Sequence, residues 1–266
     1  MHKTSLEQII FALQEVGVSE GDGLLIHSAI QFLGQPVGGV GIYLQALASL
    51  LGIPLTFSPD SREQPKTQTG TLAVPTFNFG FARGESFDPQ NTPSQGMGVF
   101  SEYIRQHPAA RRTPHPMQSL AVIGRYAEDL VGRDTSSAFD PGSAFERMLK
   151  LDFDILLLGA DIQAVSLYHY CEQRARVPYR FWKKFTGQVR TPNGWKSRTY
   201  RMFARDLAVN PHIDLHPIQR LLESRQQWWS VPLGYGCITR CRMLDFSAAS
   251  DELLERDPWL LVTNRS

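Results

Sequence analysis

Apolar residues recur at helical spacing at the start of the chain: Ile9, Ile10, Leu13 and Val16 follow Ser5-x-x-Gln8 and are closed by Gly17. A Ser with Gln three positions on, ahead of an apolar stripe, is a capping box, and Gly suits the residue just past a helix. The spacing predicts a helix over 5–16. The next pattern is a short continuous apolar run in GDGLLIHSAI (21–30), which predicts a buried strand ending near His27. Similar runs in TLAVPTF (71–77), SLAVIG (119–124) and DILLLGA (154–160) predict three more strands.

Between these runs the period changes to that of helices: 42–52, 97–107, 126–132, 143–151 with Ser143 as N-cap, and 164–174. Residues 55–70 are polar and contain Pro, which reads as a long loop, and 78–96 as an irregular connection rich in Gly and Pro. Strand-like runs on both sides of Asn193-Gly194 predict a β-hairpin over 181–204. A helix over 215–228, a strand over 237–246 and a helix over 250–256 complete the chain. Apolar strands alternating with helices specify an α/β fold: a central, mostly parallel sheet flanked by helices, with the hairpin as an extension in the C-terminal third. The 266 residues read as a single domain, 1–266, without internal repeats.

Composition removes several classes. With 42% hydrophobic and 20% charged residues the chain is neither disordered nor collagen-like. Its apolar runs fall short of the roughly 18 residues of a membrane span, and the N-terminal pattern is an amphipathic helix rather than a signal peptide. Cys171, Cys237 and Cys241 are odd in number and irregularly spaced, which fits a reducing cytoplasm better than a disulfide framework. The net charge of +1 conceals an uneven distribution. Ten basic residues and no acid lie between Gln173 and Arg205, and the remainder carries a net −9. A one-signed block of this kind serves an anionic partner or forms a solvated face.

Candidate chemistry centres on His169 and Glu172. Three apart on a predicted helix, they project from one face, and a carboxylate there fixes the imidazole tautomer and raises its basicity. A helical His satisfied by a neighbour is the structural alternative. His27, followed by Ser28, closes a buried strand, the place where open α/β sheets bind ligands. Gly38-Gly39-Val40 before a helix either makes a turn or brings backbone N–H groups to a phosphate. Cys171 lies two positions from His169, does not face it, and reads as packing. His115, His212 and His216 offer a metal-hydrolase alternative, but no Cys or carboxylate set completes a zinc pattern. RNA binding through the basic block is a third class, without an RRM or KH signature.

Several segments, in order, resemble the aminoglycoside 3-N-acetyltransferases, the antibiotic N-acetyltransferase family. They are GDGLLIHSAIQFLG (21–34), PVGGV (36–40), GTLAVPTFNF (70–79), the run from FDPQNTPS to LAVIG (87–124) and that from FDPGSAFERM to LYHYCE (139–172). The resemblance extends from about residue 5 to residue 184. It implies an acyl-CoA donor and a primary amine acceptor, with no metal. It implies His169 as general base, Glu172 as its support, Thr76 on the oxyanion or donor side, and His27, Ser28, Gly38, Gly39 and Val40 as CoA contacts. The family's second Ser is Ala29 here, the acid often preceding the helical His is replaced by Gln163 with Asp161 two places earlier, and the 55–68 loop is longer.

Aminolysis of a thioester needs the amine's proton removed as nitrogen attacks and donors for the oxyanion. No protein nucleophile is required, so direct transfer in a ternary complex is expected. Arg174, Arg176, Arg180 and Lys183, which follow the His-x-x-Glu helix, are expected to rim the acceptor or phosphate site. A positive rim repels polycationic aminoglycosides and favours an amine on an anionic carrier, such as a nucleotide-linked amino sugar. The alternatives are a true antibiotic-modifying enzyme, with the basic residues serving CoA's phosphates or a solvated hairpin. A homo-oligomer is compatible with the sequence; a membrane or nucleic-acid partner is not expected.

Overall fold

A computed structural model describes residues 2–55 and 69–264. The long loop expected over 55–70 lies, for residues 56–68, outside the described residues. The elements run β1 (Lys3–Thr4), α1 (Leu6–Glu15), β2 (Gly23–Ser28), β3 (Gln35–Pro36), α2 (Gly41–Leu51), β4 (Thr71–Pro75), α3 (Gly98–Gln106), β5 (Arg111–Arg112), β6 (Leu120–Gly124) and α4 (Ala127–Val131). They continue with α5 (Ala144–Lys150), β7 (Asp154–Leu158), α6 (Tyr168–Ala175), β8 (Arg180–Thr191), β9 (Gly194–Arg205), α7 (His216–Ser224), β10 (Trp229–Leu233), β11 (Gly236–Arg242) and α8 (Met243–Arg256).

Seven strands form one sheet in the order β10-β11-β7-β2-β4-β6-β5. Strands β4, β6 and β7 are buried throughout, which is why they read as unbroken apolar runs. Their side chains alternate between two cores. Leu24, Ile26, Leu72, Leu156 and Leu158 pack under α1, α2 and α3, whereas Leu25, Ala73, Ile155 and Leu157 pack under α5, α6, α7 and α8. The result is a sheet between two helical layers, as the sequence indicates. The capping box of α1 is present in both directions, with Ser5 Oγ accepting from the Gln8 N–H and the Gln8 side chain accepting from the Ser5 N–H.

The strand directions correct one expectation. Only β2 with β4 and β2 with β7 are parallel, and the four other neighbouring pairs are antiparallel, so the sheet is mixed rather than mostly parallel. The cause lies at the edges. Strand β10, unrecognised in the Pro-containing run after Trp228, turns directly into β11 through Gly234-Tyr235. A Cβ on Gly234 would meet the Leu33 backbone at 2.3 Å, so only Gly allows this tight return. Strand β11 ends at Arg242, and Met243–Phe246 open α8 instead of extending the strand.

The β8–β9 hairpin forms a separate two-stranded sheet with twelve residues in each strand. Its connection is Pro192–Asn193, with Gly194 at φ +94°. Phe81, Phe87, Val189 and Tyr200 tie it to the body, and its base pairs Arg180 with Arg205 beside α6.

Candidate active site

The carboxyl ends of the parallel strands β2 and β4 place His27, Ser28 and Pro75 at the floor of a cleft of about 700 Å³. Its other walls come from the start of α3 (Gly96, Met97, Gly98 and Ser101), the turn and helix holding Ser166 and His169, and the hairpin base with Arg180 and Arg205. Gly98 has φ +83°, and a Cβ there would lie 3.2 Å from the Ser28 carbonyl oxygen, so glycine lets the α3 N-terminus approach the end of β2. That helix has no side-chain N-cap, which leaves its first N–H groups open.

His169 and Glu172 meet as the helical spacing demands. His169 Nδ1 is 2.8 Å from Glu172 Oε2. The carboxylate is fully buried, while the imidazole is 38% exposed. The carboxylate can only accept, and its contact is shorter than the 3.3 Å from Arg180 Nη2 to the same nitrogen, so Nδ1 carries the proton and Nε2 keeps its lone pair. Arg180 Nη2 lies 2.8 Å from the same Oε2, and its side chain is 10% exposed. Burial alone would raise the Glu172 carboxyl pKa; the His169 hydrogen bond and the Arg180 charge outweigh it and hold the group below the usual range. Arg180 Nη1 also donates to the Phe203 carbonyl at 3.2 Å.

His27 is buried. Its Nε2 accepts the Ser166 N–H at 3.0 Å and lies 3.0 Å from Ser166 Oγ. Burial, with His169 nearby, pushes its pKa down to about 3, so it is neutral at physiological pH with the proton on Nδ1. Ser166, three positions before His169, was not singled out in the sequence, although it fixes the tautomer of His27. Ser28 Oγ is buried without a partner at the cleft floor.

Other expected positions lie elsewhere. Thr76 does not line the cleft: it is fully buried, its N–H donates to the Ser119 carbonyl at 2.9 Å, and its hydroxyl contacts Ser119 and accepts from Arg112 Nε at 3.2 Å. Arg112, which the sequence did not mark, is the hub. It reaches the Thr76 and Thr92 carbonyls, lies over the Phe87 ring and so locks the FDP-x-x-T-P-S loop to β4 and β6. Gly38, Gly39 and Val40 are outside the cleft lining, before the start of α2, with both glycines exposed.

Of the expected basic rim, only Arg180 lines the cleft. Arg174 turns to Asp251 and Ser247 on α8, Arg176 is the exposed left-handed cap of α6, and Lys183 sits over Phe185 on the hairpin. Arg205, at the hairpin base, joins Arg180 instead. No Asp or Glu lines the cleft among the described residues. Gln163 does line it, while Asp161 and Asp214 are drawn aside onto His216.

The histidines of the metal alternative have separate engagements. His115 is buried and accepts the Gln118 N–H, and His212 is held through its backbone by Asn264 and Thr263. Among the described residues no group of three potential ligands is gathered. Cys171 is buried against α8, and burial pushes its thiol up to about 12.

An imidazole oriented by a buried carboxylate, in a cleft at the strand ends and with no activated thiol beside it, is the arrangement that general-base chemistry requires. The chain belongs to the aminoglycoside 3-N-acetyltransferase family, whose model matches residues 25–255. An aminoglycoside N(3)-acetyltransferase III from Salmonella sp is 32% identical over 174 residues, 64% of this chain and 61% of that protein. A second from Salmonella sp is 30% identical over 192 residues, 70% of this chain and 67% of that protein. These matches thus span about two thirds of the relatives' length or slightly less. The structure of AAC-IIIb in binary complex with CoASH has the same fold end to end, with a TM-score of 0.79 and 19% identity over 100% of both chains.

Proposed function

We propose that the protein is an acyl-CoA-dependent N-acyltransferase that acetylates a primary amine of an amino sugar, working as one domain over 1–266. The observation that carries this reading is the His169–Glu172–Arg180 arrangement at the cleft. His169 Nε2 takes the amine proton as nitrogen attacks the thioester carbonyl. The new C–N bond gives a tetrahedral intermediate, the C–S bond breaks, and the imidazolium returns the proton to the departing CoA thiolate. Atoms and charge balance without a protein-bound acyl group.

With Thr76 committed to Ser119 and Arg112, the oxyanion contact falls to Ser28 Oγ and the open N–H groups at the start of α3. CoA enters along the larger cleft past His27 and Ser28. Gly38 and Gly39, exposed, and the half-buried Val40, before an α2 start that has no side-chain cap, are suited to its phosphates. No helix among the described residues is long and apolar enough to cross a membrane.

The relatives' names favour aminoglycosides as acceptors, and none supports a nucleotide-linked amino sugar. A second reading, an acceptor bearing an anionic group, rests on one observation: the cleft is lined by Arg180 and Arg205 and by no carboxylate among the described residues. The test is thiol release from acetyl-CoA with glucosamine, glucosamine 6-phosphate and a 2-deoxystreptamine aminoglycoside. Amine-dependent CoA release with any of them supports the acyltransferase, and their ranking decides the acceptor. Release that is independent of amine refutes it.

A further inference from the structure

Two carboxylates stand beside the cleft without lining it. Asp214 lies between the lining residues Ile213 and Leu215, and Asp161 lies two positions before Gln163, which lines it as well. His216, the first residue of α7, joins them: its Nδ1 is 2.6 Å from Asp214 Oδ1 and its Nε2 is 3.3 Å from Asp161 Oδ2. A carboxylate only accepts hydrogen bonds, so an imidazole with a carboxylate at each ring nitrogen carries both protons and is an imidazolium. The hydrogen bond to Asp214, with the charges of both aspartates, raises the His216 pKa above its ordinary value. Gln163 ties the same pair to the cleft wall, its N–H donating to Asp161 Oδ1 at 2.9 Å and its Nε2 to Asp214 Oδ1 at 3.1 Å.

Helix stability does not call for this cation. A positive charge is unfavourable at a helix N-terminus, and Asp214 alone would cap α7 by accepting the His216 N–H at 3.0 Å. What the imidazolium does is neutralise and hold two acids that adjoin the cleft. Of the others next to lining residues, Glu102 is paired with Arg105, and Asp206 accepts the Ala208 N–H. The cleft then presents Arg180 and Arg205 and no carboxylate among the described residues. An acceptor with several ammonium groups needs carboxylates as counter-charges and finds these occupied. An acceptor with one amine reacts as the neutral amine and needs none.

We propose that His216 is a specificity-determining residue: by holding Asp161 and Asp214 to itself, it disfavours polycationic acceptors and leaves monoamines unaffected. The proposal rests on the acyltransferase reading for its substrates, but the binding preference it describes is measured without turnover. All three side chains are partly exposed, so a bound cation can reach the carboxylates once the imidazolium is gone.

The test uses the full chain with CoA present and two probes, kanamycin as the polycation and glucosamine as the monoamine. Calorimetric titration gives Kd, and acetyl transfer gives KM and kcat, at about 20 mM and about 500 mM salt. His216→Leu is expected to lower Kd and KM for kanamycin about fivefold at low salt, the scale of one exposed ion pair. Glucosamine values and kcat should stay within about twofold, and high salt should erase the gain. His216→Lys keeps a cation between the aspartates and is expected to bind kanamycin as wild type does, which separates charge from packing. Adding Asp161→Asn to His216→Leu should reverse the gain. Asp161→Asn alone should leave kanamycin binding unchanged, because that carboxylate is already neutralised.

Unchanged kanamycin binding in His216→Leu would overturn the proposal, as would an equal gain for glucosamine or a His216→Lys protein that behaves like His216→Leu. Weaker kanamycin binding in Asp161→Asn alone would also overturn it, by showing that Asp161 already serves the ligand. If the variants show the expected kanamycin Kd values but wild type transfers no acetyl group to any amine, the role of His216 stands and the acyltransferase reading falls.

Discussion

Replacing Glu172 by Gln separates what the carboxylate does for stability from what it does for catalysis. The carboxylate is fully buried and its Oε2 serves two partners, His169 Nδ1 and Arg180 Nη2, each at 2.8 Å. Gln keeps an oxygen for the imidazole N–H but removes the negative charge that balances a guanidinium only 10% exposed. Breaking a buried pair by deleting one partner costs roughly 3–5 kcal/mol. The Phe203 carbonyl still accepts from Arg180, which places the expected loss near the lower end, about 3 kcal/mol, or a Tm fall of roughly 6–12 °C.

His169→Ala removes a side chain that is 38% exposed and leaves Glu172 paired with Arg180, so about 1 kcal/mol is expected. The order of catalytic damage reverses. Glu172→Gln is expected to lower kcat about 10- to 100-fold through imidazole orientation, and His169→Ala about 10²- to 10⁴-fold. Denaturant midpoints at a constant slope, with kcat for the same preparations, check both. Joint replacement of Glu172 and Arg180 by Met is expected to recover most of the stability lost by Glu172→Met alone, while orientation of the imidazole stays lost. A Glu172→Gln protein within 1 kcal/mol of wild type would refute the claim that Arg180 depends on this carboxylate.

Three further outcomes follow from other parts of the structure. Burial holds His27 at a pKa of about 3 and His115 at about 4, against 6.5 in the unfolded chain. Below pH 6.5 the unfolded state therefore binds more protons, and stability is lost as pH falls toward 4: about 2 kcal/mol for each at pH 5. Tm should drop by roughly 8–16 °C from pH 7 to 5, His115→Asn should reduce the drop, and a Tm that is flat over this range would contradict the burial of both rings. Cys237 is exposed while Cys171 and Cys241 are buried, so a thiol reagent should titrate one cysteine in the native protein and three in denaturant; three reactive thiols in the native state would disprove the packing of α6 and β11. Under the anionic-acceptor reading, Arg205→Ala should raise KM for glucosamine 6-phosphate about fivefold, more at low salt, and leave glucosamine unaffected; equal effects on both would remove that reading.

Where local chemistry decides the structure, the sequence is a good guide. Ser5 and Gln8 cap α1, Ser143 caps α5, and His169 and Glu172 meet because three helical positions bring them onto one face. Where the answer depends on which segments meet across the chain, it is not. Nothing local in Gly38-Gly39-Val40 distinguishes an exposed turn from a cleft wall. Thr76 sits next to the strand end that lines the cleft, yet Arg112, 36 positions away, captures its hydroxyl. The basic block looks like one surface, but hairpin pairing brings only Arg180 and Arg205, partners across β8 and β9, to the site. Strand direction is likewise invisible in an apolar run, and the antiparallel edges come from tight returns such as Gly234-Tyr235 that pattern alone does not reveal.

The account turns on His169 as the base in a direct transfer, and the most direct measurement is acetyl transfer by His169→Ala, with CoA affinity measured on the same sample. A kcat lowered by about 10²- to 10⁴-fold, with CoA affinity within about twofold of wild type and no acyl group on the intact protein after incubation with acetyl-CoA alone, is the expected result. Near-normal turnover by the variant, or a stable acyl-protein in the wild type, would contradict it.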